Sequence, residues 1–171
     1  MDNMVGIQEV EHIKSFIKNV PDHPAPGILF RDIQPLLADA QAFEDTVQLM
    51  VDLIDINKVE YFAGIESRGF IFATAMSWIC DKGLKLIRKQ GKLPPKDLVS
   101  IEYGLEYGRD TIQMQKGSGK VIIVDDVYAT GGTMTAAKLL CELAGYEVID
   151  TLCLLDIGLI KQHDTKCLIY Y

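Results

Sequence analysis

Apolar residues recur every three or four positions in two stretches near the N-terminus, which is the spacing of an amphipathic helix. These stretches are residues 5–18 and residues 41–57. Between them, residues 21–27 contain three prolines and a glycine, a composition typical of an irregular loop. The pattern therefore predicts two helices with a loop in the intervening segment.

From residue 61 onward, short apolar runs alternate with helical patterns. The strongest run, Val121 to Val124, consists of four consecutive β-branched residues and indicates a strand buried on both faces. The other predicted elements are strands at residues 61–65, 84–87 and 148–155, and helices at residues 69–80 and 133–144. This alternation predicts an α/β fold with an open, mostly parallel twisted sheet flanked by helices. Ligands of such sheets bind beyond the carboxyl ends of the strands.

Two further strand patterns, at residues 99–103 and 111–115, flank a turn that contains Gly104 and Gly108. Two strands around a short turn predict a β-hairpin, and the glycines favour a flexible flap. We assign the flap to residues 98–116. The chain of 171 residues has the length of one domain, so we treat residues 1–171 as a single unit.

Charge and composition exclude several classes of function. Lys and Arg number 17 against 24 Asp and Glu, a net charge of −7. Nucleic-acid binding depends on neutralising phosphates, so we expect no nucleic-acid partner, although a small phosphorylated ligand is compatible with this charge. The longest nearly apolar run, residues 70–80, is shorter than the about 20 residues of a membrane span. No signal peptide is recognisable, so we expect no membrane contact and a cytoplasmic location.

The segment from residue 121 to residue 133 carries the candidate chemistry. The predicted buried strand ends in Asp125 and Asp126. A loop of small and hydroxylated residues then leads into a helix: Ala129, Thr130, Gly131, Gly132 and Thr133. Backbone N–H groups of such a loop and the positive end of the helix dipole bind a phosphate group. The carboxylates are good acceptors for the vicinal hydroxyls of a sugar. A phosphate pocket beside a diol pocket predicts a ribose 5-phosphate ligand.

This segment resembles the phosphoribosyl-diphosphate signature of type I phosphoribosyltransferases. Four other blocks resemble the adenine phosphoribosyltransferases of that family, in order along the chain: residues 26–33, 64–70, 87–94 and 105–108. The resemblance implies the type I phosphoribosyltransferase fold, with a small N-terminal hood for the purine within residues 1–35. It also implies a purine salvage transferase that converts adenine and 5-phosphoribosyl 1-diphosphate into AMP and diphosphate, with Mg²⁺ as cofactor, and a homodimer.

Each block acquires a role from the resemblance. Asp125 and Asp126 bind the ribose hydroxyls, and residues 129–133 bind the 5-phosphate. Mg²⁺ is held mainly through the diphosphate, with Asp125 contributing through a water molecule. The diphosphate-binding residues are Glu66, Ser67, Arg68, Arg88, Lys89 and Lys92, and the adenine-binding residues are Leu29, Phe30 and Arg31. The family has a non-proline cis peptide in the loop of residues 66–68.

The resemblance names three catalytic residues: Arg68, and Glu106 and Tyr107 of the flap. Cleavage of the bond to diphosphate develops oxocarbenium character at the ribose, and water must be excluded while it does so. Glu106 is expected to act as general acid–base at adenine N7, and Tyr107 is expected to close over the diphosphate.

Two alternatives stay open. One is a phosphoribosyltransferase for hypoxanthine, guanine or xanthine, although the chain lacks the Lys-plus-aromatic purine motif of those enzymes. The other is a regulator that senses phosphoribosyl diphosphate without catalysis. Such a regulator needs a surface that contacts DNA, and the net charge of −7 disfavours one.

Overall fold

The computed structural model describes residues 2–105 and 108–171. Two of the expected catalytic residues, Glu106 and Tyr107, lie outside the described residues. The chain divides into two compact units, Met1–Leu49 and Met50–Tyr171.

The N-terminal unit contains helices and one antiparallel hairpin. Helix α1 is Asp2–Ser15, strand β1 is Lys18–Pro21, strand β2 is Leu29–Asp32 and helix α2 is Gln34–Ala38. Helix α3, Ala40–Asp52, begins in this unit. The predicted helix at residues 5–18 thus ends three residues earlier, because Lys18–Pro21 pairs with β2 in the hairpin. Strands of four residues are too short for an alternating pattern to stand out in the sequence.

Helix α3 is also shorter than its apolar pattern predicts. The pattern extends to residue 57, whereas α3 ends at Asp52 and a separate 3-10 turn follows at Ile56–Lys58. The carboxylate of Asp55 accepts a hydrogen bond from the backbone N–H of Asn57 at 3.1 Å, which starts this turn. The long apolar pattern therefore folds as two separate elements, the second of which begins at a local side-chain cap.

The C-terminal unit is built on a seven-stranded sheet in the order β5-β6-β4-β3-β7-β8-β9. Strands β4, β3, β7, β8 and β9 are parallel to one another, while β5 and β6 form an antiparallel hairpin whose strand β6 pairs antiparallel with β4. The strands are β3 Tyr61–Ile65, β4 Gly83–Lys89, β5 Leu98–Leu105, β6 Gly108–Gln115, β7 Gly119–Tyr128, β8 Tyr146–Asp156 and β9 Lys166–Tyr170, and the helices are α4 Gly69–Ile79 and α5 Gly132–Leu143. The mostly parallel sheet and the hairpin agree with the sequence pattern.

Strand β7 extends further than expected. The pattern ends the strand at Asp126, whereas pairing with β3 stops at Val124 and pairing with β8 continues to Tyr128. The acidic pair therefore lies within a strand that has a neighbour on one side only. The open side faces the loop that follows β3.

Helices α4 and α5 cover opposite faces of the sheet, as right-handed crossovers in opposite directions require. Beneath α5, Val121 and Ile123 are buried in one apolar cluster with Leu140 and Cys141. Within the described residues, no helix is both long enough and apolar enough to pass through a bilayer.

Candidate active site

The carboxyl ends of strands β3 and β7 lie side by side. The last pair between these parallel strands is Gly64 with Val124, so the loops that follow begin next to each other. Helix α4 starts at Gly69, where a Cβ atom would lie 2.6 Å from the carbonyl oxygen of Val124 and 3.0 Å from Asp125 Oδ1. Only glycine allows this approach. The loop before α4 is consequently held against the end of β7.

Asp125 and Asp126 lie where β7 loses its β3 neighbour. Asp126 is 4% exposed, and its Oδ2 lies 2.8 Å from Nε of Arg68. Burial raises the pKa of Asp125 well above its usual range, and the charge of Asp126 raises it further. Burial also raises the pKa of Asp126, against the opposing effect of the Arg68 guanidinium. Two carboxyls with one cation leave acceptor capacity that matches a vicinal diol.

The loop of residues 129–133 leads directly into helix α5. It surrounds a cavity of about 50 Å³ together with the end of β7. Gly131 stands at the helix N-cap with φ +78°, in the left-handed region that glycine adopts without steric cost. A Cβ atom at Gly131 would collide with the Tyr128 hydroxyl and lie 2.9 Å from Tyr128 Cζ. The first N–H groups of α5 and the two Thr hydroxyls are suited to an anion of phosphate size.

The loop of residues 66–68 contains a cis peptide between Glu66 and Ser67, as the resemblance implies. The Glu66 carboxylate does not face a free anion site. It accepts hydrogen bonds from Arg88 Nε at 3.1 Å and from the backbone N–H of Lys89 at 2.8 Å. The hydrogen bond from Arg88 lowers the pKa of Glu66. These contacts tie the loop to the end of β4, which gives Glu66 a positioning role.

The expected basic cluster is divided between different partners. Arg88 contacts Glu66 and donates a hydrogen bond of 3.4 Å to the Lys92 carbonyl. Lys89 Nζ lies 3.2 Å from Asp110 Oδ2 of strand β6. The side chain of Lys92 is exposed. Of these three basic residues, only Lys89 lines the large cavity described next.

One cavity of about 480 Å³ brings most of these groups together. Its lining residues are Ile65, Glu66, Ser67, Arg68, Lys89, Tyr103, Asp110, Asp125, Asp126, Val127, Ala129 and Thr133. The acidic pair, the loop before α4 and the loop before α5 therefore share one space. The sequence-based prediction missed Tyr103 and Asp110, which lie on the hairpin and carry no local signal of their own.

The expected adenine-binding residues lie in the N-terminal unit, on strand β2. Leu29 is 46% exposed. Phe30 contacts His23 edge-to-face with ring centroids 5.0 Å apart, and Arg31 donates a hydrogen bond to Asn19 Oδ1 on β1. The sequence-based prediction did not single out His23, whose ring steadies Phe30. The three residues thus occur on one ordered strand.

A metal site built by protein ligands alone is not present among the described residues, where no three His, Cys, Asp or Glu side chains are grouped for coordination. Asp125 and Asp126 are adjacent oxygen donors at the edge of the large cavity. Mg²⁺ takes one or two carboxylates and completes its shell with water and substrate phosphates. The donor set therefore fits Mg²⁺ that arrives with a phosphorylated ligand.

Comparison with known proteins adds the family. The sequence profile of the phosphoribosyl transferase domain matches residues 37–167. An adenine phosphoribosyltransferase of Bdellovibrio bacteriovorus is 52% identical over 136 residues, covering 80% of this chain and 82% of the relative. The chain belongs to the adenine phosphoribosyltransferase family. Adenine phosphoribosyltransferase 1 of Triticum aestivum is also similar, at 43% identity over 165 residues that cover 94% of this chain and 91% of the relative.

Solved structures agree with this assignment. The adenine phosphoribosyltransferase of Rhodothermus marinus superposes with a TM-score of 0.87 at 34% identity, covering 96% of this chain and 99% of that one. The Saccharomyces cerevisiae enzyme, complexed with an imino-altritol bisphosphate and adenine, gives a TM-score of 0.88 at 27% identity, covering 95% and 99%. The expected fold and the expected transferase class are confirmed.

Proposed function

We propose that this chain transfers the 5-phosphoribosyl group from 5-phosphoribosyl 1-diphosphate to adenine, giving AMP and diphosphate in purine salvage. The observation that carries the proposal is the cavity of about 480 Å³. It is lined by the carboxyls of Asp125 and Asp126, by the loop of residues 129–133, hereafter the phosphate-type loop, and by the loop of residues 66–68 with its cationic Arg68. Membership of the adenine phosphoribosyltransferase family gives the base and the class of reaction.

The 5-phosphate occupies the loop of residues 129–133 in this proposal. The loop encloses a cavity of about 50 Å³ and ends at the positive end of α5. Backbone donors that are fixed before the ligand arrives reduce the entropy cost of binding. They also hold the ribose so that its anomeric carbon faces the incoming base.

Asp125 and Asp126 accept hydrogen bonds from the ribose hydroxyls. Both carboxyls line the large cavity, and the backbone N–H of Asp126 donates to Asp125 Oδ1 at 2.9 Å, which fixes the orientation of the Asp125 carboxyl. When bound, Mg²⁺ neutralises charge on the departing diphosphate. Asp125, with Asp126 beside it, would hold that ion through water.

Arg68 and Lys89 serve the diphosphate. Each cation lies against a carboxylate: Arg68 against Asp126 at 2.8 Å and Lys89 against Asp110 at 3.2 Å. A diphosphate in the cavity carries more negative charge than either carboxylate and binds Arg68 and Lys89 more strongly. Arg88 and Lys92 complete the basic edge, and Glu66 and Ser67 shape the loop that presents Arg68. Arg68 thereby stabilises charge that develops as the bond to diphosphate breaks.

Leu29, Phe30 and Arg31 bind adenine, and Glu106 with Tyr107 closes the site. Support for the flap comes from its described part, because Tyr103 and Asp110 line the large cavity. Glu106 accepts the N7 proton of adenine as N9 bonds to the anomeric carbon and the bond from that carbon to diphosphate breaks. The closed hairpin excludes water that would otherwise hydrolyse the activated ribose.

A homodimer completes the proposal. Trp78 at the end of α4 is 85% exposed, and Ile79 beside it and Leu84 and Leu86 on the following strand β4 are also exposed apolar residues. Such a patch is typical of a protein interface. Light scattering is expected to give twice the chain mass for the wild type and a shift toward the monomer for Trp78→Arg. The control Leu143→Arg, in an exposed apolar position on α5, should stay dimeric.

The location proposed for this reaction is the cytoplasm. The four cysteines are all free thiols, which is the usual state in a reducing compartment. Their burial in three of four cases keeps them from solvent oxidants. Fractionation of the native cell followed by immunodetection tests this location.

The decisive assay measures AMP and diphosphate from 5-phosphoribosyl 1-diphosphate, Mg²⁺ and one base at a time. Adenine is expected to give AMP, whereas guanine, hypoxanthine and xanthine are not expected to react. Replacing Asp125 and Asp126 together by Asn should abolish turnover, while Asp81→Asn at a turn remote from the cavity should not. Formation of GMP without AMP contradicts the proposed base, and unchanged turnover in the double variant contradicts the proposed site.

A further inference from the structure

A buried histidine–aspartate pair lies behind the loop of residues 129–133. Nε2–H of His163 donates to Asp156 Oδ2 at 3.0 Å, and both side chains are 9% exposed. Asp156 Oδ1 accepts a second hydrogen bond, from the backbone N–H of Gly158 at 2.8 Å. The orientation of the His163 ring is therefore set by a carboxylate that is itself fixed. Neither residue belongs to the site described above.

The His163 ring packs on Tyr128, the last residue of strand β7. The two ring centroids are 4.0 Å apart and the ring planes are inclined by 31°. The backbone fixes Tyr128 as well, since its carbonyl accepts a hydrogen bond of 3.2 Å from Ile157 N–H and the residue pairs with Asp156 across β7 and β8. Tyr128 is 9% exposed, and one face of its buried ring lies against His163.

Tyr128 in turn supports the phosphate-type loop. Its hydroxyl lies so close to Gly131 that a Cβ atom there would collide with it, and Tyr128 lines the cavity of about 50 Å³ that the loop encloses. Gly131 itself has no side chain with which to hold the loop by packing. The Tyr128 side chain supplies that packing from beneath. Contacts therefore run without a gap from Asp156 through His163 and Tyr128 to Gly131.

We propose that His163 is a positioning residue for phosphate binding: with Asp156 it holds Tyr128 under Gly131 and so keeps the loop of residues 129–133 in its binding conformation. The inference rests on the proposed function, in which this loop binds the 5-phosphate. An apolar residue at position 163 would fill the same space without the desolvation cost of a buried polar pair. The pair adds something that packing alone does not, namely a fixed ring plane beneath the loop.

The test measures the affinity of ribose 5-phosphate and of adenine separately, by calorimetry on the full chain. His163→Phe keeps a ring against Tyr128 but removes the hydrogen bond to Asp156. Tyr128→Phe keeps the ring contact and removes the hydroxyl beneath Gly131. We expect each variant to raise the Kd of ribose 5-phosphate about tenfold and to leave the Kd of adenine unchanged. In steady state, KM for 5-phosphoribosyl 1-diphosphate should rise more than kcat falls.

A control variant isolates this effect from general damage to the C-terminal segment. Asp164→Asn breaks the ion pair of 2.6 Å with Lys138, one residue from His163, and leaves both the His163–Asp156 hydrogen bond and the His163–Tyr128 ring contact in place. It should bind ribose 5-phosphate as the wild type does. If His163→Phe does not fold, His163→Gln retains a donor for Asp156 while losing the ring, and the same tenfold change is expected.

The outcomes separate the inference from the proposed function. Wild-type affinity in both His163 variants overturns the inference, and so does an equal loss of ribose 5-phosphate and adenine binding, because that result indicates a structural role only. A wild-type protein that does not bind ribose 5-phosphate at all overturns the proposed role of the loop instead.

Discussion

Substituting alanine for Gly131 tests how the phosphate-type loop is built. The backbone at Gly131 has φ +78°, and Gly91 has the same φ of +78°. The two sites differ in their surroundings, because nothing lies within 4 Å of a Cβ at Gly91, whereas a Cβ at Gly131 meets Tyr128. Gly91→Ala is therefore a matched control that carries the backbone cost without the collision.

The expected magnitudes follow from these two contributions. An L-residue in the left-handed region costs about 1–2 kcal/mol at either site. Relieving the overlap with the Tyr128 ring adds about 1–3 kcal/mol at Gly131 only. In a chain of this length each kcal/mol corresponds to about 2–4 °C of melting temperature. Gly131→Ala should therefore melt about 2–12 °C below Gly91→Ala.

Thermal unfolding with and without ribose 5-phosphate measures both stability and binding. A ligand at 100 times its Kd stabilises the folded state by about 2.7 kcal/mol. The wild type and Gly91→Ala should gain that stabilisation, and Gly131→Ala should lose most of it because the displaced loop no longer presents its N–H groups. Equal melting temperatures for the two variants, with an equal gain from the ligand, would refute this account of the loop.

Three further predictions concern charged residues of the proposed site. Arg88 lowers the pKa of Glu66, so Glu66 contributes stability above its unfolded pKa that is lost as pH falls through the lowered folded pKa. In urea titrations, the difference in unfolding free energy between the wild type and Glu66→Gln should be constant at neutral pH and disappear in acid. A difference independent of pH contradicts this. Asp110→Asn frees Lys89 and should lower the calorimetric Kd of diphosphate about two- to fivefold; a weaker affinity speaks against that competition. Glu106→Gln should lower kcat much more than it raises KM for adenine in steady-state assays, and equal changes in both would exclude its acid–base role.

Local sequence patterns predict the sheet and the loop that leads into α5 well. Four β-branched residues before Asp125 predict a buried strand. The glycines before the apolar helical stripe predict a loop at that position. Strand β2 could not be predicted from such patterns because four residues are too few to show alternation. The end of β7 could not be predicted either, because pairing with β8, a tertiary contact, extends the strand to Tyr128.

The side chains that pair with the charged residues cannot be predicted from local sequence patterns. Glu66 and Arg88 are 22 positions apart in sequence, and only the parallel pairing of β3 with β4 brings them together. The contact between Arg68 and Asp126 likewise depends on the packing of Gly69 against β7. His163 follows no motif at all, since it lies in an irregular segment between β8 and β9. Secondary structure set by local patterns is predictable here, whereas side-chain contacts set by tertiary neighbours are not.

A crystal structure of the protein with AMP tests the central claim most directly. The account predicts the phosphate within the loop of residues 129–133, bound by its backbone N–H groups, and the ribose hydroxyls on Asp125 and Asp126. A phosphate bound elsewhere while this loop stays empty would contradict it.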